Sequence, residues 1–247
     1  MNRRTLISGV VASIFLVAPA YAQPKKVSVG IDIANKPFIF TQGRDYTGFS
    51  YDLWVELAKE IGVTYDLRAM EFSSLIPALQ TKNVDVAFSS IFITPQRKQV
   101  VDFSDPYYMN GTGILVPKDS KIKKLADASG KKLAAVTGSA QVAWIKENVS
   151  GAEVTQFPGI TEAFLAIEAG RVDGVLYDYP TLAYYALTEG KDKVRLLEDR
   201  AGSDNPVGFA FPKGSPLVGP VNDALKKIRS DGRYDALAKK WFGNTSS

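Results

Sequence analysis

The chain contains neither cysteine nor histidine. The first absence excludes disulfides, thiolate nucleophiles and thiolate metal sites. The second removes the usual general base near neutral pH, the Ser-His-Asp triad and the commonest transition-metal ligand. Long apolar runs are also lacking. The most apolar stretch, Leu6 to Val17, falls short of the ~20 residues that a membrane-spanning helix needs. Basic residues are not clustered either. Thirty Lys and Arg are interspersed with 26 Asp and Glu, for a net charge of +4, so no nucleic-acid-binding stripe is expected. No metal site or cofactor motif is visible.

With 247 residues, 45% hydrophobic and 23% charged, the chain has the composition of a globular protein able to bury a core without staples. Its first 22 residues read as a secretory signal. Arg3 and Arg4 form a positive start, the apolar stretch follows, and Ala20-Tyr21-Ala22 places small residues where a signal peptidase cleaves. Cleavage is expected after Ala22, leaving 247 − 22 = 225 residues. No cysteine follows that point, which excludes a lipid anchor there. The expected location is the periplasm.

Beyond residue 25 the pattern alternates strands and helices and predicts mostly parallel sheets covered by helices. Strands are expected at Lys26–Ile31, Val63–Arg68, Val84–Phe88, Gly113–Val116, Leu133–Val136, Glu153–Gln156 and Val172–Leu176. In Ser50–Ile61, Leu53, Trp54, Leu57 and Ile61 share one helical face, with Ser50 as a good N-cap and Gly62 as the stop. Ser215-Pro216 reads as a cap followed by proline at the first helical position. Crossings between two units are expected near 107–112 and 203–207. Lobe 1 would then comprise 23–110 and 206–247, with lobe 2 at 111–205.

Several ordered motifs now resemble those of family 3 extracellular solute-binding proteins. They are Gly48-Phe49-Ser50-Tyr51-Asp52-Leu53-Trp54, Phe72-Ser73-Ser74-Leu75-Ile76-Pro77-Ala78-Leu79-Gln80, Ile93-Thr94-Pro95-Gln96-Arg97, Val101 to Tyr108, Phe209 to Ser215 and Lys240-Trp241-Phe242-Gly243. They span nearly all of the chain after the signal and look most like those of glutamine-binding proteins. The resemblance implies a type II periplasmic-binding-protein fold: two α/β lobes joined by a two-strand hinge, closing on a ligand held between them. It implies capture of a polar L-amino acid, delivery to an inner-membrane ABC permease, and no catalysis. A monomer is expected, because a clamp must open freely.

A free amino acid carries a carboxylate and an ammonium, and removing both from water is costly unless each is paired. Arg97 stands where the family places its carboxylate-binding arginine, and a guanidinium grips a carboxylate through two parallel bonds. Asp178, at the end of the run Asp173 to Tyr177, matches the aspartate that takes the ammonium; a role as N-cap for the helix after Pro180 can coexist with it. Thr137-Gly138-Ser139-Ala140 lies between a strand and a helix, where free N–H groups favour an anion. Ser139 is the expected hydroxyl and Ala140 begins the helix. Ser89 and Ser90 match positions that contact the ligand backbone. Phe72 matches an aromatic that packs on its aliphatic part. Asp32 matches the aspartate near the ligand side chain.

The side-chain pocket departs from the glutamine-binding pattern. Asn35 replaces an aromatic, Phe92 a threonine and Tyr177 a histidine. The backbone clamp is kept while the specificity pocket changes. Glutamine, an arginine- or lysine-class ligand, cystine and an unusual derivative stay open. So do two other roles for the fold, a sensing subunit for a membrane receptor and an enzyme resembling cyclohexadienyl dehydratases.

Overall fold

The computed structural model describes residues 26–202 and 204–243; the expected signal at 1–22 lies outside them. The described residues open with β1 (Lys26–Ile31), the hairpin strands β2 (Phe40–Gln42) and β3 (Asp45–Thr47), and α1 (Phe49–Glu60). It continues through β4 (Thr64–Ala69), α2 (Phe72–Gln80), β5 (Val86–Phe88), α3 (Pro95–Val100) and β6 (Val101–Phe103). Then β7 (Tyr108–Asn110) leads to β8 (Thr112–Pro117), β9 (Lys132–Val136), α4 (Ala140–Asn148), β10 (Glu153–Phe157) and α5 (Ile160–Glu168). β11 (Gly174–Asp178), α6 (Tyr179–Leu187) and β12 (Val194–Leu196) complete this stretch. The chain returns through β13 (Asn205–Val207) to β14 (Ala210–Pro212), α7 (Val218–Ser230) and α8 (Arg233–Phe242).

Two five-stranded sheets result, ordered β4-β1-β5-β14-β6 and β10-β9-β11-β8-β12. They form the cores of two lobes. β7 and β13 pair antiparallel between them, so the polypeptide crosses twice.

The sheets are mixed, not mostly parallel. β1 runs parallel to β4 and β5, but β14 is antiparallel to β5 and β6. β9 runs parallel to β10 and β11, but β8 is antiparallel to β11 and β12. The reason is topological. β8 and β14 enter their lobes directly from the crossing strands, so they start where β11 and β5 end.

Packing follows apolar spacing. In α1, Phe49, Leu53, Trp54 and Leu57 are fully buried on one face, each contributing about 1.5–3 kcal/mol by leaving water. That face and α7 cover one side of the first sheet, with α8 against both helices. Arg233 fastens α8 to α1 through Glu56 at 2.8 Å and Glu60 at 3.0 Å. A second apolar cluster joins Phe72, Leu75 and Ile91 of lobe 1 to Val136, Phe164 and Tyr177 of lobe 2. The lobes are therefore in contact.

Two capping expectations are corrected. α1 begins at Phe49, and Gly48 holds the N-cap position with φ 128°. A Cβ there would lie 2.3 Å from the Phe38 carbonyl oxygen, so only glycine fits. Ser50 is buried inside the helix, and its hydroxyl meets that of Tyr107 at 2.8 Å. In α7 the helix starts at Val218 with Leu217 at the N-cap. Ser215 accepts from the Leu217 N–H at 3.3 Å, a local turn that delays the helix.

Candidate functional site

Strand ends converge between the lobes, where ligands of open α/β sheets sit. β5 ends before Ser89 and Ser90; β9 ends before the 137–139 loop and α4; β11 ends in Asp178. Phe72, Ser90, Phe92 and Arg97 of lobe 1 line one small cavity with Ser139, Ala140, Gln141, Tyr177 and Asp178 of lobe 2. The residual space is about 10 Å³, room for about one water molecule.

Arg97 is aimed by its helix. Thr94 caps α3, accepting the Arg97 N–H at 3.2 Å, and Pro95 opens the first turn. The guanidinium donates from Nη1 to the Phe92 carbonyl at 2.8 Å and from Nη2 across the cleft to Gly138 O at 3.0 Å. It lies 5.4 Å from the Phe72 ring centroid. Loss of hydration lowers its pKa to about 10, while Asp178 and Tyr177 oppose the fall. Arg97 is thus a cation at neutral pH.

Asp178 occupies the N-cap position of α6, yet its side chain does not cap. Oδ1 accepts from Gln141 Nε2 at 3.2 Å; Oδ2 is buried without a hydrogen-bond partner. Burial pushes its pKa up to about 6, against the pull of Ser90, Asn35, Gln141 and Asn110. Ser139 behaves alike. It stands at the N-cap of α4 without capping, and its Oγ is buried and unpartnered. Each unsatisfied polar atom costs about 1–3 kcal/mol, which a bound partner group would recover. The first N–H groups of α4 also lack intrahelical acceptors. The site thus offers a cation, a carboxylate, a hydroxyl and a helix N-terminus around one small space.

Asn35, Asp32 and Ser89 stand beside this cavity and do not line it. Asn35 is fully buried; it donates to Ser89 O at 3.4 Å and accepts from Thr181 Oγ1 at 2.6 Å. Ser89 Oγ donates to Asp32 O at 2.8 Å. The Asp32 carboxyl is pushed up to about 6 by burial, with Glu162 and Glu71 adding repulsion and the Ala34 N–H opposing. Burial holds the Tyr177 phenol well above 10, so it stays neutral. Ser90 adopts φ 51°, an uncommon conformation for serine, with its Oγ held by Asn110 Nδ2 at 2.9 Å.

Two contributors escaped the sequence reading, Gln141 and Thr181. Both had a signal. Gln141 falls in the first turn of α4, directly after Ser139-Ala140, and Thr181 lies three residues after Asp178 on the same helical face.

The sequence profile of the bacterial extracellular solute-binding proteins, family 3, matches residues 27–244. The chain belongs to that family. Its members similar to this chain include the L-cystine-binding protein TcyJ of Escherichia coli K12, 33% identical over 220 residues, 87% of this chain and 82% of TcyJ. The glutamine-binding protein GlnH of an ABC transporter in Bacillus subtilis is 37% identical over 202 residues, 79% of this chain and 72% of GlnH. Among solved structures, the ancestral amino acid-binding protein AncCDT-1, a precursor of cyclohexadienyl dehydratase, superimposes with a TM-score of 0.80 at 40% identity, covering 88% of this chain and 95% of that one. The family's two-lobed α/β architecture is the one found here.

Proposed function

We propose that this protein captures a polar L-α-amino acid between its lobes and hands it to an inner-membrane ABC permease. The carrying observation is that Arg97 of lobe 1 and Asp178 of lobe 2 line one cavity. In this reading Arg97, Ser139 and the start of α4 take the carboxylate. Asp178 takes the ammonium through its unpartnered Oδ2, with Ser90 and Gln141 beside it. Phe72, Phe92 and Tyr177 enclose the aliphatic part. Asp32, a buried acid whose Oδ1 accepts from the Ala34 N–H at 3.2 Å and which has Glu162 and Glu71 as its charged neighbours, favours a side chain that donates hydrogen bonds and disfavours glutamate. Among ligands with a single amino-acid head, glutamine is the first candidate, supported by the likeness to GlnH. The lobe divisions at 110/111 and 205/206, a periplasmic monomer and cleavage after Ala22 belong to the same proposal.

Calorimetry on the purified protein and its Arg97→Ala and Asp178→Ala variants tests the clamp. Each substitution leaves one buried ligand charge unpaired, at about 3–5 kcal/mol, so affinity falls at least a hundredfold. Near-wild-type affinity in either folded variant refutes the assignment. The likeness to AncCDT-1 favours a second reading, a dehydratase. Turnover of prephenate or arogenate would establish it; no turnover alongside amino-acid binding supports the transport reading.

A further inference from the structure

A second cavity, of about 340 Å³, opens between the lobes beside the clamp. Lobe 1 contributes Ile33, Ala34 and Lys36; lobe 2 contributes Phe164, Tyr184 and Glu189. Thr181 belongs to its wall and bonds Asn35. Asn35 in turn donates to Ser89 O at 3.4 Å, next to Ser90 of the clamp. The hydrogen-bonded pair Asn35 and Thr181 thus links the wall of the second cavity to the clamp.

The second cavity repeats the electrostatics of the first. The clamp sets a cation on lobe 1, Arg97, against a carboxylate on lobe 2, Asp178. At the far end of the groove Lys36 of lobe 1 meets Glu189 of lobe 2, Nζ to Oε1 at 3.0 Å. The Lys36 ammonium also lies 5.7 Å from the ring centroids of Phe40 and of Tyr184, one from each lobe. The wall is mixed: Ile33, Ala34 and the stacked rings of Phe164 and Tyr185, whose centroids are 3.7 Å apart, are joined by the hydroxyl-bearing Thr161 and Thr181. Asp178 and Glu189 flank the two ends of α6. A helix rises about 1.5 Å per residue, so the nine residues of α6 set the two ends on the order of 13 Å apart.

We propose that this groove is a second subsite, receiving the far end of a ligand that carries an α-amino-acid group at each end, a diamino dicarboxylic acid. The inference rests on the reading of Arg97 and Asp178 as an amino-acid clamp. Lys36 pairs with the far carboxylate and Glu189 with the far ammonium. The wall between holds the linking chain, which passes beside the Asn35–Thr181 pair and leaves its bond intact. In the free protein Lys36 and Glu189 neutralise each other. Their side chains are 37% and 63% exposed, and exposed pairs contribute little to holding two surfaces together. A role as a latch alone therefore explains little of the arrangement.

The test is calorimetry on the purified protein, with L-cystine and diaminopimelate as two-headed probes and L-glutamine, L-arginine and L-lysine as single-headed ones. Wild type is expected to bind at least one two-headed acid tenfold or more tightly than any single-headed probe. Lys36→Met and Glu189→Gln are each expected to weaken that two-headed acid at least tenfold and to change single-headed binding less than twofold. If a single-headed amino acid binds tighter than both two-headed acids, the second subsite is refuted and the clamp stands. Equal weakening of both classes by the substitutions also refutes it, because a latch acts on every ligand alike. If wild type binds no amino acid of either class, the clamp itself falls and the subsite with it.

Discussion

Thr181 on α6 donates a 2.6 Å hydrogen bond to the Asn35 side-chain oxygen, joining two fully or nearly fully buried side chains 146 residues apart across the cleft. Such a bond contributes about 0.5–1.5 kcal/mol net, and here it does so only while the lobes are together. Thr181→Val should shift the ligand-free protein toward an open form, seen as a larger radius of gyration in small-angle scattering. If closure is part of binding, affinity should fall about threefold to tenfold. An unchanged radius and affinity would show that the bond does not bias closure.

Gly138 sits at φ 76° in the loop before α4, and a Cβ there would approach the Ser73 Cα of lobe 1 at 3.2 Å. The neighbour is backbone and cannot easily yield. Gly138→Ala is expected to prop the cleft and displace the carbonyl that accepts from Arg97. Ligand binding should weaken at least tenfold in calorimetry, while the melting temperature of the ligand-free protein drops by only a few degrees.

Asp32 and Asp178 both titrate near 6 in the native state, against 3.8 ordinarily. Between about pH 3.8 and 6 the native state therefore binds more protons than the unfolded chain at these sites. Their contribution to stability falls as pH rises through that window and stays low above it. The Asp32→Asn, Asp178→Asn double variant should melt higher than wild type at pH 7, with the gap closing toward pH 4. Ligand affinity runs the other way. The ammonium needs ionised Asp178, so binding should weaken below about pH 6, approaching tenfold per unit. A flat affinity profile from pH 4 to 8 would exclude Asp178 as the ammonium partner.

Ser50 and Tyr107 share a fully buried hydrogen bond at 2.8 Å beneath α1. Ser50→Ala leaves the Tyr107 hydroxyl without that partner, which costs about 1–3 kcal/mol. Chemical denaturation should show that loss while ligand affinity changes less than twofold. A large change in affinity instead would place this pair in the binding mechanism.

Much of this molecule is written locally. Val27, Val29 and Ile31 mark a strand; Leu53, Trp54 and Leu57 mark a helix face; Thr94-Pro95 starts the short helix that aims Arg97. Each signal acts over a few residues, so backbone geometry and burial of one face suffice to fix it. The absence of histidine and cysteine likewise narrows the chemistry without any structure, and Arg97 and Asp178 carried their family pattern in sequence. Other features needed the folded chain. The reversed strands β8 and β14 follow from where the crossings re-enter each lobe. Ser50 looked like a cap because its partner Tyr107 is 57 residues away. Ser139 and Asp178 hold cap positions, and only tertiary packing leaves Ser139 Oγ and Asp178 Oδ2 buried and unpaired. Lys36 and Glu189 are unremarkable charges in sequence, and become neighbours only because two lobes close. Pairing between residues far apart depends on the relative placement of whole sheets, which no local propensity encodes.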